Sequence, residues 1–135
     1  MFELDERLSK SSIKIIELGL SEVRLKDNTQ YPWLILIPRV DNTVVELFQL
    51  SDVHQIELMN EISRVSRCMN HFFRPDKINV GALGNMVSQL HIHIVARYKN
   101  DSLWPHSVWQ SHLVENPYSD EAREKLIQHL YVALS

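Results

Sequence analysis

Residues 89 to 97, Gln89-Leu90-His91-Ile92-His93-Ile94-Val95-Ala96-Arg97, open with a polar, hydrogen-bonding side chain at every second position and a large apolar one between. A period of two is the mark of a β-strand with one face buried. It constrains the fold more tightly than any other stretch of the chain. Leu90, Ile92 and Ile94 are expected to face a core, which leaves Gln89, His91 and His93 in a row on the opposite face. Successive members of that row stand two strand residues apart, about 7 Å. Two imidazoles and a carboxamide on rigid backbone make a candidate reactive surface.

The rest of the chain supplies elements to cover such a strand. Residues 5–18 read as an amphipathic helix, with Asp5 as N-cap and Leu8, Ile15 and Leu18 on its apolar side. Val23 and Leu25 alternate with charged residues over 21–26, a strand followed by the polar turn Asp27-Asn28-Thr29-Gln30. Trp33-Leu34-Ile35-Leu36-Ile37 is a continuous apolar run, expected as a central strand covered on both faces and stopped at Pro38. Residues 44–48 suggest a short extended piece. From Ser51 to about Phe72, Leu58, Ile62, Val65, Met69 and Phe72 recur at spacings of four and three, a long helix with Ser51 as N-cap and Pro75 beyond its end. Residues 77–83 alternate again, the histidine strand covers about 88–97, and a last helix is expected over roughly 119–134 with Ser119 as cap. Short links between neighbouring strands favour an antiparallel sheet. The expected class is α+β, with about five strands, a long helix on one face and helices at both termini, all in one domain over residues 1–135.

Composition narrows the function. At 135 residues the chain can bury a core without staples, and its 44% hydrophobic and 23% charged content is that of an ordinary globular protein. A formal net charge of −3 argues against a nucleic-acid polymer as partner, though not against a small anion. The single Cys68 excludes an intramolecular disulfide framework and points to a reducing, cytoplasmic setting. The first residues are acidic, unlike a signal peptide, and the apolar run at 33–37 is too short to span a bilayer, so no membrane association is expected.

The stretch Gln89-Leu90-His91-Ile92-His93-Ile94-Val95 resembles the histidine triad motif, in which three histidines alternate with apolar residues and two apolar residues follow. Asn79, Gly81, Gly84 and Asn85 resemble the Asn/Gly-rich segment that precedes the motif in that family. Trp33 to Arg39 with the long helix after it is similar to the upstream strand–loop–helix, and Trp104-Pro105 to a Trp-Pro pair of the nucleotide-binding branch. Together these cover most of residues 23–109. The chain departs from the pattern twice. Gln89 stands where the first histidine usually sits, and Asn85 where many members have Gln.

The resemblance implies that His91 is a nucleophile, oriented by the main-chain carbonyl of residue 89, and that His93 donates a hydrogen bond to a phosphoryl or leaving-group oxygen. A register with His93 as nucleophile and Val95 as the lost member fits the glycine segment less well. Asn79, Gly84 and Asn85 would hold a phosphate, Asp27 would accept from ribose hydroxyls and Leu25 would line a slot for the base. The activity implied is attack on the α-phosphorus of a nucleoside phosphoramidate, a dinucleoside polyphosphate or an adenylated small molecule, with a nucleotidyl-histidine intermediate. The family also implies a homodimer. The rival is a nucleotide-binding module with little catalysis because the triad is incomplete.

Plainer readings exist for each residue. His91 and His93 can be polar residues on a wet sheet face, or the start of a metal site with His106, His112 or Asp101, although none of these is an obvious third ligand; no metal and no cofactor is expected. His54, His71 and His129 read as surface positions on helices, and Cys68 as a small buried hydrophobe. Asp27 is also an ordinary turn former. Trp104 and Trp109 can line a pocket or pack a dimer contact, and the sequence does not choose.

Overall fold

The computed structural model describes every residue of the chain except His112. The elements follow in the order α1 (Glu6–Ser11), β1 (Ser12–Glu17), β2 (Ser21–Lys26), β3 (Trp33–Pro38), α2 (Asp52–Phe73), β4 (Lys77–Gly81), β5 (Ile92–Arg97) and α3 (Asp120–Leu134), with one 3-10 turn at Leu47–Gln49. The five strands form one antiparallel sheet in the order β1-β2-β3-β5-β4. The class is α+β, as expected.

Strand parity builds two cores on one sheet. Val23, Leu25, Leu34, Leu36, Ile92 and Ile94 face α2 and α3, where Leu58, Val65, Met69, Leu130 and Leu134 meet them. Trp33, Ile35, Ile37 and Val95 face the other way, against Leu8 of α1, Tyr31 and Val108. The apolar run of β3 is therefore buried on both sides, at 0–3% exposure from Trp33 to Ile37. Each such side chain contributes roughly 1.5–3 kcal/mol by leaving water.

The long helix begins as its cap dictates, with the Ser51 side chain accepting from the His54 amide at 3.1 Å. It ends where Arg74 turns left-handed (φ 49°), just before Pro75. Glu61 is buried on its inner face and accepts from the Leu20 and Ser21 amides at 2.8 and 3.0 Å, which pins α2 to the β1–β2 turn. No helix among the described residues is long and apolar enough to cross a membrane.

Three expected elements differ. Residues 5–18 are not one helix: α1 is six residues long and the chain then extends into β1. The register of β1 against β2 shifts between Lys14 and Ile16, a bulge at Ile15. That extra residue breaks the two-residue period, so Leu8, Ile15 and Leu18 mimic a helical stripe while the isoleucines favour a strand. Residues 44–48 do not form an extended piece, because the Gln49 side chain accepts from the Val45 and Glu46 amides at 2.8 and 2.9 Å and winds the 3-10 turn. The third difference concerns the start of β5, and it shapes the site.

Candidate active site

The β5 ladder begins at Ile92, later than the alternation suggests. On one side its pairing with β3 runs only as far as Leu36 opposite Ile92, and β3 ends two residues on at Pro38, which has no N–H to give. On the other side Gly81, opposite His93, is the last residue of β4. Gln89, Leu90 and His91 thus run past the end of the ladder while keeping its parity, and Leu90 still packs into the α2 core.

Freed from the sheet, His91 is held locally. Its Nδ1 lies 2.6 Å from the Gln89 carbonyl oxygen. A carbonyl only accepts, so Nδ1 carries the proton and Nε2 keeps its lone pair. The ring is 6% exposed, yet it borders a cavity of about 230 Å³ between the 45–48 segment and the loop Ala82-Leu83-Gly84. Burial holds its pKa below the ordinary histidine value; the Gln89 carbonyl works against that shift, Lys26 with it, and Asp5 against it.

His93 has the opposite polarity. Its Nδ1 lies 2.9 Å from Trp33 Nε1, and an indole nitrogen only donates. The lone pair is therefore on Nδ1 and the proton on Nε2. Burial, with the neighbouring charges of His91 and Lys26, depresses its pKa to about 3, which keeps it neutral at pH 7. The two imidazole centroids are 4.8 Å apart, and the Trp33 and Trp109 rings flank His93 at 5.6 and 5.8 Å. The pair therefore offers one nitrogen that can attack and one N–H that can donate, both uncharged.

The remaining expected residues are placed unevenly. Gly84 lines the cavity in the left-handed region (φ +72°), where a side chain would be strained. Gly81 instead admits Trp109: a Cβ there would lie 3.0 Å from the indole ring. Asn79 is half-buried with its Oδ1 accepting from Arg97 Nη1 at 3.1 Å, so its amide N–H groups remain as donors. Asn85 is exposed in the loop beside Gly84. Gln89 is 8% exposed and gives its carboxamide to backbone groups of Glu3 and Asp5.

Asp27 belongs to the far end of the sheet from His91. By register the two lie five strand residues apart along the strand direction, roughly 17 Å. The Asp27 carboxylate accepts from the Tyr118 amide at 2.9 Å and lies 3.8 Å from Arg123. Leu25 is fully buried in the α2–α3 core, so in this conformation it supports the strand and presents no surface to a base. Asp101 is bound to Arg97 at 2.8 and 3.0 Å, and among the described residues no three histidine, cysteine, aspartate or glutamate side chains gather as metal ligands. His112 lies outside the described residues.

Trp33 is the residue that the sequence reading missed. It reads as the first member of a core strand, and nothing local says that its N–H reaches His93. Lys26, stacked 5.5 Å over the Trp33 ring, was hidden for the same reason.

Residues 7–100 match the HIT domain family, well over half of the chain. The chain belongs to the histidine triad family. Solved members agree closely with it. A histidine triad protein from Marinobacter aquaeolei is 40% identical, with a TM-score of 0.94 over 99% of this chain and 96% of that one. One from Sinorhizobium meliloti is 36% identical, with a TM-score of 0.93 over 98% and 96%. A third, from Bradyrhizobium japonicum, is 42% identical at a TM-score of 0.85 over 98% and 95%. No curated protein matches the chain. The five-stranded sheet with its long helix and terminal helices is thus the histidine triad fold.

Proposed function

We propose that this histidine triad protein hydrolyses, or transfers the nucleotidyl group of, a nucleoside phosphoramidate, a dinucleoside polyphosphate or an adenylated small molecule. The observation that carries the reading is the pair of opposite tautomers, His91 with its lone pair on Nε2 and His93 with its proton there. In the first step the His91 Nε2 lone pair forms a bond to the α-phosphorus, and the bond from phosphorus to the leaving group breaks with its electron pair. The leaving group then takes a proton from solvent. In the second step water attacks phosphorus, His91 Nε2 departs with the electron pair, and the water proton returns to solvent. The sum consumes one water and yields a nucleoside monophosphate and the protonated leaving group. Splitting one displacement into two lowers each barrier.

His93 donates from Nε2 to a phosphoryl or leaving-group oxygen and remains neutral throughout. Gly84, Asn85 and Asn79 supply donors without charge. Asp27 has no part in this site, since it lies roughly 17 Å from His91 along the strand direction. Residues 1–135 act as one domain, and two copies pair through β4, the strand that ends the sheet on the side of the site.

The test is turnover of an adenosine phosphoramidate and a diadenosine polyphosphate by wild type and His91→Ala. The reading requires that His91→Ala lose turnover, by about 10⁴-fold or more. Retained turnover would take the nucleophile role away from His91. The binding-module reading draws on Gln89, which has no imidazole to offer. Nucleoside monophosphate binding without turnover of any activated nucleotide would favour it.

A further inference from the structure

Gln89 makes contacts that its place in the histidine row does not suggest. Its Oε1 accepts from the Asp5 amide at 2.8 Å, and its Nε2 donates to the Glu3 carbonyl at 2.9 Å. A carboxamide presents one acceptor and one donor side by side, as a peptide group does, so it can pair with extended backbone as a neighbouring strand would. The two ring nitrogens of an imidazole diverge and cannot meet the same two groups in that way. The segment is held elsewhere as well. Asn42 exchanges hydrogen bonds with the Glu3 backbone at 2.9 and 2.8 Å. The Asp5 side chain accepts from the Arg7 amide at 2.8 Å, and Arg7 Nη1 donates to the Met86 carbonyl at 2.9 Å, in the loop that leads to Gln89. Residues 3–7 therefore form a strap fastened to the loop that carries His91.

We propose that Gln89 is a positioning residue: by clamping this strap through Glu3 and Asp5, it fixes the main-chain carbonyl that holds His91. The proposal rests on His91 as the nucleophile. Attack through Nε2 leaves a phosphorylated imidazolium that still carries Nδ1–H, and a positive charge has appeared on a ring that was neutral. The Gln89 carbonyl accepts more strongly from that ring than from the neutral one. Gln89 itself is neutral and acts only through what it holds.

The experiment uses the full chain as wild type, Gln89→Leu and His91→Ala. Amide hydrogen exchange is followed at residues 3–7, and kcat and KM are measured against pH with adenosine 5′-phosphoramidate. Gln89→Leu is expected to speed exchange at Asp5 and lower kcat roughly 10- to 100-fold, the cost of misplacing a reacting group, with KM changed by no more than about twofold. Wild-type exchange and kcat in Gln89→Leu overturn the proposal. Turnover retained in His91→Ala is a different failure, that of the nucleophile reading, because exchange at Asp5 reports the clamp whatever attacks the phosphorus.

Discussion

At the scale of single residues, the site depends on two hydrogen bonds that choose which nitrogen carries a proton. The Gln89 carbonyl and the Trp33 indole cannot exchange roles, so His91 and His93 cannot exchange tautomers. Trp33→Phe removes the donor to His93 while keeping the aromatic packing. It leaves a buried Nδ1 without its partner, at a cost of roughly 1–3 kcal/mol in urea denaturation. His93 is then free to take the Nδ1–H tautomer, visible in its ¹⁵N shifts, and kcat should fall about 10-fold or more. Burial makes a second prediction. His93 has a folded pKa of about 3 against an ordinary 6.5, and His91 is lowered as well. The unfolded chain therefore takes up protons first as pH falls. Stability is fully present above about pH 6.5 and is lost from there toward pH 3, at up to about 1.4 kcal/mol per unit for each such histidine. His93→Gln should flatten that slope in urea titrations between pH 7 and 4; an unchanged slope contradicts the buried, neutral ring. The histidine face was legible in the sequence because its period is local, whereas the carbonyl that orients His91 was implied by the family resemblance. Trp33 was not, because its partner lies across a strand pairing that no spacing reveals.

At the scale of elements, legibility followed how far each element obeys one period. β3, α2 and α3 keep theirs and appear within a residue or two of the expected bounds. β1 carries a bulge, so its apolar positions fall at helical intervals. β5 keeps its parity past the point where its partners stop, so the alternation extends into residues that have left the ladder. Arg97 at the other end of β5 was not legible at all. It is 1% exposed, bound bidentately to Asp101 and flanked by the Tyr31 and Trp104 rings at 5.6 and 5.8 Å. Asp101 had been a candidate metal ligand; it is instead the counter-charge that lets Arg97 be buried. Arg97→Met strands Asp101, which is 7% exposed, and should cost about 3–5 kcal/mol in denaturant unfolding. Adding Asp101→Leu should recover most of that loss. A single variant as stable as wild type would show that the pair holds nothing together.

At the scale of the whole molecule, β4 closes the sheet on one side and, among the described residues, its outer edge carries no strand, with Val80 48% exposed upon it. Open edges invite pairing, and a charge placed on one discourages it. If two copies pair through β4 as proposed, the wild type should sediment at twice the monomer mass and Val80→Lys as the monomer; a Val80→Lys dimer puts the interface elsewhere. The whole account still turns on one bond between a histidine nitrogen and phosphorus. That bond can be sought directly by mixing the protein with an adenosine phosphoramidate, quenching at alkaline pH within one turnover and mapping the peptides by mass spectrometry. The account predicts an adenylyl group on His91, stable in base and lost in acid, and absent from His91→Ala. Rapid turnover with His91 unmodified at every time, or an adenylyl group on another residue, would contradict it.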